Sequence, residues 1–418
     1  MGLACATGCL ALIAAVNLLP ARLFVRLVLG LAVWKVVFPV LVVVALFRSG
    51  VDFHPALHQR RDGGGGAAAM SGLVSSGVLF AYIGFQAPLD FAGNVKREGI
   101  GEEARLRRAV YGTLAGAVVL YCAAQVAVLG HPGLAGINAG DPASLLRVAD
   151  ELRWPRPVVL TDALVAPLGS GLVFAYALTR EVAALSAAHL THRKLQTVGG
   201  TFLTVRGRPY EVYWKVLLVN FVLGTLLLFG VHGAWRTVTS MNGILTLVVY
   251  AMPGVVLVAL NPACSGRRRV VRGILARTGF LAIALALYWA EGGDLTCGMT
   301  ALLLGVVLLL GLPSLARSAL PVVGRGVYDA KEQLTLLRRW RTDPAAGAAV
   351  LLLGYLGALT LLRSLTEEGA ADVRAGASLC VLALAAAVFE GLVRLSRRHG
   401  RPDPSAVPRR DAAGSVSS

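Results

Sequence analysis

Lys35 is the first residue in this sequence whose position asks for a chemical reason, because it lies inside an apolar run. It stands about nine residues beyond Arg26, roughly 13 Å along a helix. An ammonium at that depth either snorkels back to an interface along its alkyl stem or serves as a proton carrier, and the residues alone leave both open. The second candidate is the stretch Phe80-Ala81-Tyr82-Ile83-Gly84-Phe85-Gln86-Ala87-Pro88, where Gly84 and Pro88 stand four residues apart in another apolar run. If that run crosses a bilayer, a helix unwound there frees backbone groups that are tolerated only where they line a cavity. Broken helix ends can then face a ligand, with Tyr82 and Phe85 as an aromatic gate and Gln86 as a polar contact. The other reading is a continuous helix kinked and packed through Gly84.

Other residues carry weaker signals. Asp162 falls near the end of its run, where water satisfies it. Ser170, between Gly169 and Gly171, is suited to a ligand hydrogen bond or to close helix contact, and contact is the simpler role. Glu390 and Arg394 have the spacing of a helical surface pair. His131 and His232 lie in connections without a ligand pattern. The cysteines Cys5, Cys9, Cys122, Cys264, Cys297 and Cys380 are scattered, without metal-ligand spacing. With no nucleophile–base pair, phosphate loop or metal cluster, the sequence argues against an enzyme, and neither cofactor nor metal is expected.

The elements that must hold these residues are membrane helices. The chain has 418 residues, 56% hydrophobic and 15% charged, with a mean hydropathy of +0.68. Runs of about 20 apolar residues cover the hydrocarbon core as helices, and their continuity excludes the alternating pattern of barrel strands. Eleven such segments are expected: 2–19, 27–47, 70–90, 109–130, 157–179, 212–230, 237–260, 274–290, 295–313, 346–362 and 375–393. The fold class is an all-α polytopic membrane protein with about eleven transmembrane helices.

Charge orients them. Most of the 40 Lys and Arg residues lie in every second connection and in the tail, for example Arg105, Arg107 and Arg108, then Arg267 to Arg269, then Arg338, Arg339 and Arg341. The positive-inside bias places those connections and the C-terminus in the cytoplasm, and hence the N-terminus outside. A net charge of +17 distributed in this way does not describe a nucleic-acid surface; its partner is the lipid bilayer. Residues 131–156 contain an amphipathic stretch, Asp141 to Arg153, suited to lie over the outer mouth. The expected organisation is a core over 1–314, a cytoplasmic amphipathic connection over 315–345, two extra spans over 346–395 and a disordered tail over 396–418. The location is the plasma membrane, crossed many times.

Residues 80–97, FAYIGFQAPLDFAGNVKR, resemble the sixth helix of the amino acid–polyamine–organocation permeases. They are most similar to the fourteen-helix branch that includes bacterial aspartate–proton symporters. Residues 154–181, WPRPVVLTDALVAPLGSGLVFAYALTRE, resemble the eighth helix, Trp235 to Asn261 the tenth, and Tyr288-Trp289 the pair ending the eleventh. Asn17-Leu18-Leu19-Pro20-Ala21-Arg22-Leu23-Phe24 and the Lys35 segment resemble the fourth and fifth. The likeness covers about residues 5–314 and, more loosely, the last two spans.

The resemblance implies part of a five-plus-five inverted-repeat (LeuT-type) fold, with 1–314 equivalent to family helices four to twelve and the first three helices lacking. It implies a secondary amino acid permease, proton-coupled, with an acidic amino acid as the substrate suggested. Substrate contacts are expected at Phe80, Ala81, Tyr82, Gly84, Phe85, Gln86 and Ser170. Lys35 is expected to couple protons, since related proton-coupled permeases carry a lysine where sodium binds in sodium-coupled relatives. Two departures stand out. The family's Gly-Glu-x-x-Asn-Pro reads Gly93-Asn94-Val95-Lys96-Arg97-Glu98 here, and its Thr-x-Arg is shortened to Thr179-Arg180. With the missing first helix, they leave a second expectation open: a truncated, transport-inactive remnant or scaffold of the same family.

Overall fold

The computed structural model describes residues 2–19, 21–53, 78–85, 101–134, 144–187, 191–195, 212–230, 235–260, 266–290, 292–319, 338–366 and 371–399. These are helical and contain no sheet. The helices are α1 (Gly2–Asn17), α2 (Ala21–Ser49), α3 (Val78–Ala81), α4 (Glu102–Leu129), α5 (Ser144–Glu151) and α6 (Arg156–Ala187). They continue with α7 (Trp214–Gly230), α8 (Trp235–Leu260), α9 (Arg267–Trp289), α10 (Gly292–Ala319), α11 (Pro344–Thr366) and α12 (Ala371–His399).

Seven of these, α2, α4, α6, α8, α9, α11 and α12, are long and apolar enough to cross a membrane. Shorter apolar helices match the first, sixth and ninth expected segments. Most of the third segment lies outside the described residues, as do 320–337 of the expected cytoplasmic connection and 400–418 of the tail. Several helices overrun the expected segments. α4 begins at Glu102 rather than near 109, α9 at Arg267 rather than near 274, and α12 runs on to His399. Hydropathy marks the slab that a helix crosses. The backbone hydrogen bonds continue past it, through Arg105 to Arg108 and Arg394 to Arg398, because headgroup water does not break a helix.

The chain divides into two compact units, the first mainly residues 1–238 with 315–328 and the second mainly 239–314 with 329–418. In the first, α2 and α6 lie antiparallel with a descending register. Phe38 shares a buried cluster with Val159, Trp34 reaches Asp162, Leu31 lies under Gly169, and Phe24 stacks on Tyr176 at 5.0 Å. Two glycines make this possible. A Cβ on Gly169 would stand 3.4 Å from Leu31 Cβ, and one on Gly171 only 2.6 Å from Ile13 Cδ1 of α1. With no hydrophobic force between helices in lipid, such close approach supplies the attraction. α4 seals against α2 through Val43, Leu46 and Ala127. The amphipathic stretch forms α5, whose Asp150 pairs with Arg156 at 3.0 Å. That hydrogen bond holds the exposed Asp150 carboxyl below its ordinary range.

In the second unit, Phe280 of α9 stacks on Tyr355 of α11 at 5.9 Å and meets Phe389 of α12 edge-on at 5.4 Å. Gly254 of α8 faces Ala276 of α9, where a Cβ would stand 3.3 Å from the Ala276 carbonyl. Glu390 is not spent on Arg394. Arg277 of α9 holds it instead, with Nε donating to Oε1 at 2.8 Å, because α9 packs beside this part of α12 and brings the guanidinium within reach.

Candidate functional site

The backbone leaves the helix at Tyr82. α3 ends at Ala81, and residues 82–85 form a turn in which Gly84 has φ +105°. That conformation suits glycine, since a Cβ strains it. Phe174 of α6 closes the remaining space, its Cζ 3.3 Å from where a Cβ would be. Within a continuous helix the Ala81 carbonyl would accept from the amide of residue 85. Here the Tyr121 hydroxyl of α4 donates to it at 3.1 Å, while the Tyr121 ring meets Tyr82 edge-on at 5.2 Å. A side chain on a neighbouring helix thus serves a main-chain carbonyl at the break, as an interrupted membrane helix requires.

A cavity of about 380 Å³ adjoins the turn, bounded by α2, α4, α6 and residues 81–85. That volume falls in the range of small-molecule sites, roughly 300–1,000 Å³. Most of the lining is apolar, and the chemistry is concentrated at one point. Lys35 Nζ donates to Ser170 Oγ across the α2–α6 contact, and Ser170 Oγ in turn donates weakly to the Ala166 carbonyl at 3.4 Å. Pro39, four residues beyond Lys35 in α2, has no N–H for the Lys35 carbonyl, so the helix is weakened where the lysine sits. Along α6 the Trp34 indole donates to Asp162 Oδ1 at 3.0 Å, and Asp162 and Lys35 attract each other electrostatically.

Of the expected site residues, the structure brings Ala81, Tyr82, Gly84, Phe85, Lys35 and Ser170 to one cavity. Phe80 contributes its backbone to α3, and Gln86 lies outside the described residues. Asp162 is partly covered and engaged by Trp34, not left to water. Sequence reasoning missed Tyr121, Trp34, Phe174 and Tyr176. The polar aromatics in the middle of α4 and α6 were the available signal, since Tyr and Trp keep a partner for their polar end when buried.

A second cavity, about 630 Å³, begins one turn further along α6 around Arg180, Glu181 and Tyr213, and Ala177 lines both. Tyr176 is adjacent, stacked on Phe24, with the Arg180 guanidinium 4.5 Å from its ring centre and hydrogen-bonded to its hydroxyl.

Membrane-length helices enclosing a cavity at a helix break define a multi-pass membrane protein. Its kind follows from comparison with known proteins. Residues 1–312 match the amino acid permease family, and the chain belongs to it. That is a family of transporters, not of enzymes. The glutamate/serine transporter AimA of Bacillus subtilis (strain 168) is 26% identical over 307 residues, covering 69% of this chain and 54% of the relative. The chain thus spans about half the length of the curated relative it matches. No solved structure matches it.

Proposed function

We propose that the chain carries the substrate site of a secondary active amino acid permease that couples amino acid uptake to protons across the plasma membrane. The observation that carries this reading is the turn at Tyr82 to Phe85, with its glycine at positive φ, opening on a cavity whose polar corner is Lys35 and Ser170. The turn supplies main-chain groups for an amino acid's charged ends, and Tyr82 and Phe85 cover it. Lys35 exchanges a proton with the cavity as its contact to Ser170 forms and breaks. The relative's substrates make glutamate and serine the first candidates, and an acidic amino acid agrees with the resemblance in the sequence.

Eleven spans, the third running through residues 70–90, put the Arg180 end of α6 on the cytoplasmic side by the positive-inside rule. The larger cavity around Arg180 is then an inner vestibule, and Tyr176 on Phe24 stands between it and the central cavity. In alternating access the 82–85 turn moves against the α2–α6 body that carries this stack.

The test is uptake of labelled glutamate and serine into proteoliposomes holding the full natural reading frame, with and without an imposed pH gradient. Uptake stimulated by an acidic exterior supports the reading. A monodisperse preparation that moves neither amino acid under any gradient ends it.

A further inference from the structure

The second unit holds a basic pocket that the transport reading does not use. A cavity of about 330 Å³ lies where the end of α8, the start of α9 and the end of α12 meet. Arg269, Arg272, Arg277 and Arg397 line it. Arg397 reaches across to the Val258 carbonyl of α8 at 3.3 Å, which fixes the end of α12 against α8. Arg277 is neutralised by Glu390. Arg269 and Arg272 add two further basic side chains to the lining.

The helix itself makes the imbalance worse. α9 opens on Arg267, Arg268 and Arg269, with no acid in its first turn and no side-chain cap from Gly266. Cations at a helix N-terminus oppose the helix dipole, whose positive end already faces them. A sequence that crowds three arginines there favours an anion close by. The rest of the lining names the kind of anion. Leu257, Val258, Val270 and Ile274 form the apolar part of the pocket. Val270, Val271, Ile274 and Leu275 of α9 are exposed around it. A free phosphate gains nothing from that surface, whereas an acyl chain does.

We propose that this pocket seats the headgroup phosphate of an anionic glycerophospholipid, with Arg269 and Arg272 on the phosphate and the acyl chains along Val270 and Ile274. Basic pockets between membrane helices at the cytoplasmic face hold anionic headgroups in this way. The bound lipid ties α8, α9 and α12 together at one end of the unit.

Native mass spectrometry of the detergent-purified full chain tests it, with phosphatidylglycerol or phosphatidylcholine added. Phosphatidylglycerol is expected to remain bound and phosphatidylcholine to be lost. The double variant Arg269→Gln/Arg272→Gln should weaken phosphatidylglycerol binding about thirty-fold, equivalent to about 1 kcal/mol per arginine. Arg267→Gln/Arg268→Gln removes the same charge at the helix start but outside the pocket and should weaken binding less, since those arginines act only through the local field. Arg269→Lys/Arg272→Lys keeps the charge and should retain most of it. Equal losses in the two glutamine pairs, or equal retention of both lipids, would overturn the site. Displacement of the lipid by millimolar inorganic phosphate would overturn the lipid assignment and leave a simple anion site.

Discussion

Replacing Gly84 by alanine tests the reasoning about the broken helix most directly. The native turn holds residue 84 at φ +105°, and an alanine there meets Phe174 Cζ at 3.3 Å. Backbone strain of this kind costs about 1–3 kcal/mol. The Phe174 contact needs a shift of only a few tenths of an ångström, so strain is the larger effect. If the turn is the form that binds substrate, that cost moves the segment toward a rewound helix through residues 81–87. At about 1.4 kcal/mol per factor of ten, apparent affinity falls between about five- and 150-fold. The assay is the KM for glutamate or serine uptake in proteoliposomes, with the apparent melting temperature of the same preparation in detergent.

Gly112→Ala is the internal control. Gly112 sits in α4 with nothing within 4 Å of a Cβ, and alanine favours a helix interior by about 0.5–1 kcal/mol over glycine. It should leave KM unchanged and hold or raise the melting temperature. Gly84→Ala with a native KM, in a protein that responds to Gly112→Ala as expected, would mean that the turn does not touch substrate.

The remaining predictions concern single contacts. Tyr121→Phe keeps the ring against Tyr82 but removes the donor to the Ala81 carbonyl, so uptake should fall by roughly five- to a hundredfold for a stranded acceptor worth about 1–3 kcal/mol; unchanged uptake would show the carbonyl satisfied otherwise. Lys35→Ala should insert normally yet lose the dependence of uptake on the pH gradient, whereas Ser170→Ala, which removes only the lysine's partner, should keep a dependence shifted in pH. An intact pH response in Lys35→Ala removes Lys35 from the coupling. Arg277 and Glu390 are 46% and 42% exposed, so a double-mutant cycle on melting should give a coupling of only about 0.2–1 kcal/mol, and Arg394→Gln should show none with Glu390.

The long spans were legible, seven of them as membrane-length helices among the described residues, because about 20 uncharged residues have few soluble alternatives. The break at Gly84 was legible as one of two readings, through a glycine and a proline one turn apart. Its geometry was not, since the fastening hydroxyl is Tyr121, some forty positions away, and the closing ring is Phe174. Asp162 was read as near water because sequence places it near a helix end and says nothing of Trp34. Glu390 was assigned to Arg394 because intrahelical spacing is visible in a sequence and the α9–α12 contact is not. Ser170 illustrates the same limit. The roles read for it were a ligand hydrogen bond and close helix contact, and neither named its partner, the lysine on the helix that Gly169 allows to approach.

The first unit's cavity has walls of unequal stiffness. α2 and α6 are joined by the Phe24–Tyr176 stack, the Lys35–Ser170 and Trp34–Asp162 hydrogen bonds and the Gly169 contact. α1 is fitted against α6 at Gly171, where a Cβ would not fit. Such interlocked helices shift as a body rather than deform. The Tyr82–Phe85 wall differs: its backbone has left the helix, and the Tyr121 hydroxyl of α4 ties the Ala81 carbonyl there. A ligand that takes over that hydrogen-bonding changes the turn at little cost and leaves the α2–α6 body intact. Conformational change on binding is then expected at residues 82–85 and Tyr121. In the proposed mechanism Lys35, held to that body through Ser170, carries the proton while the 82–85 segment grips the substrate.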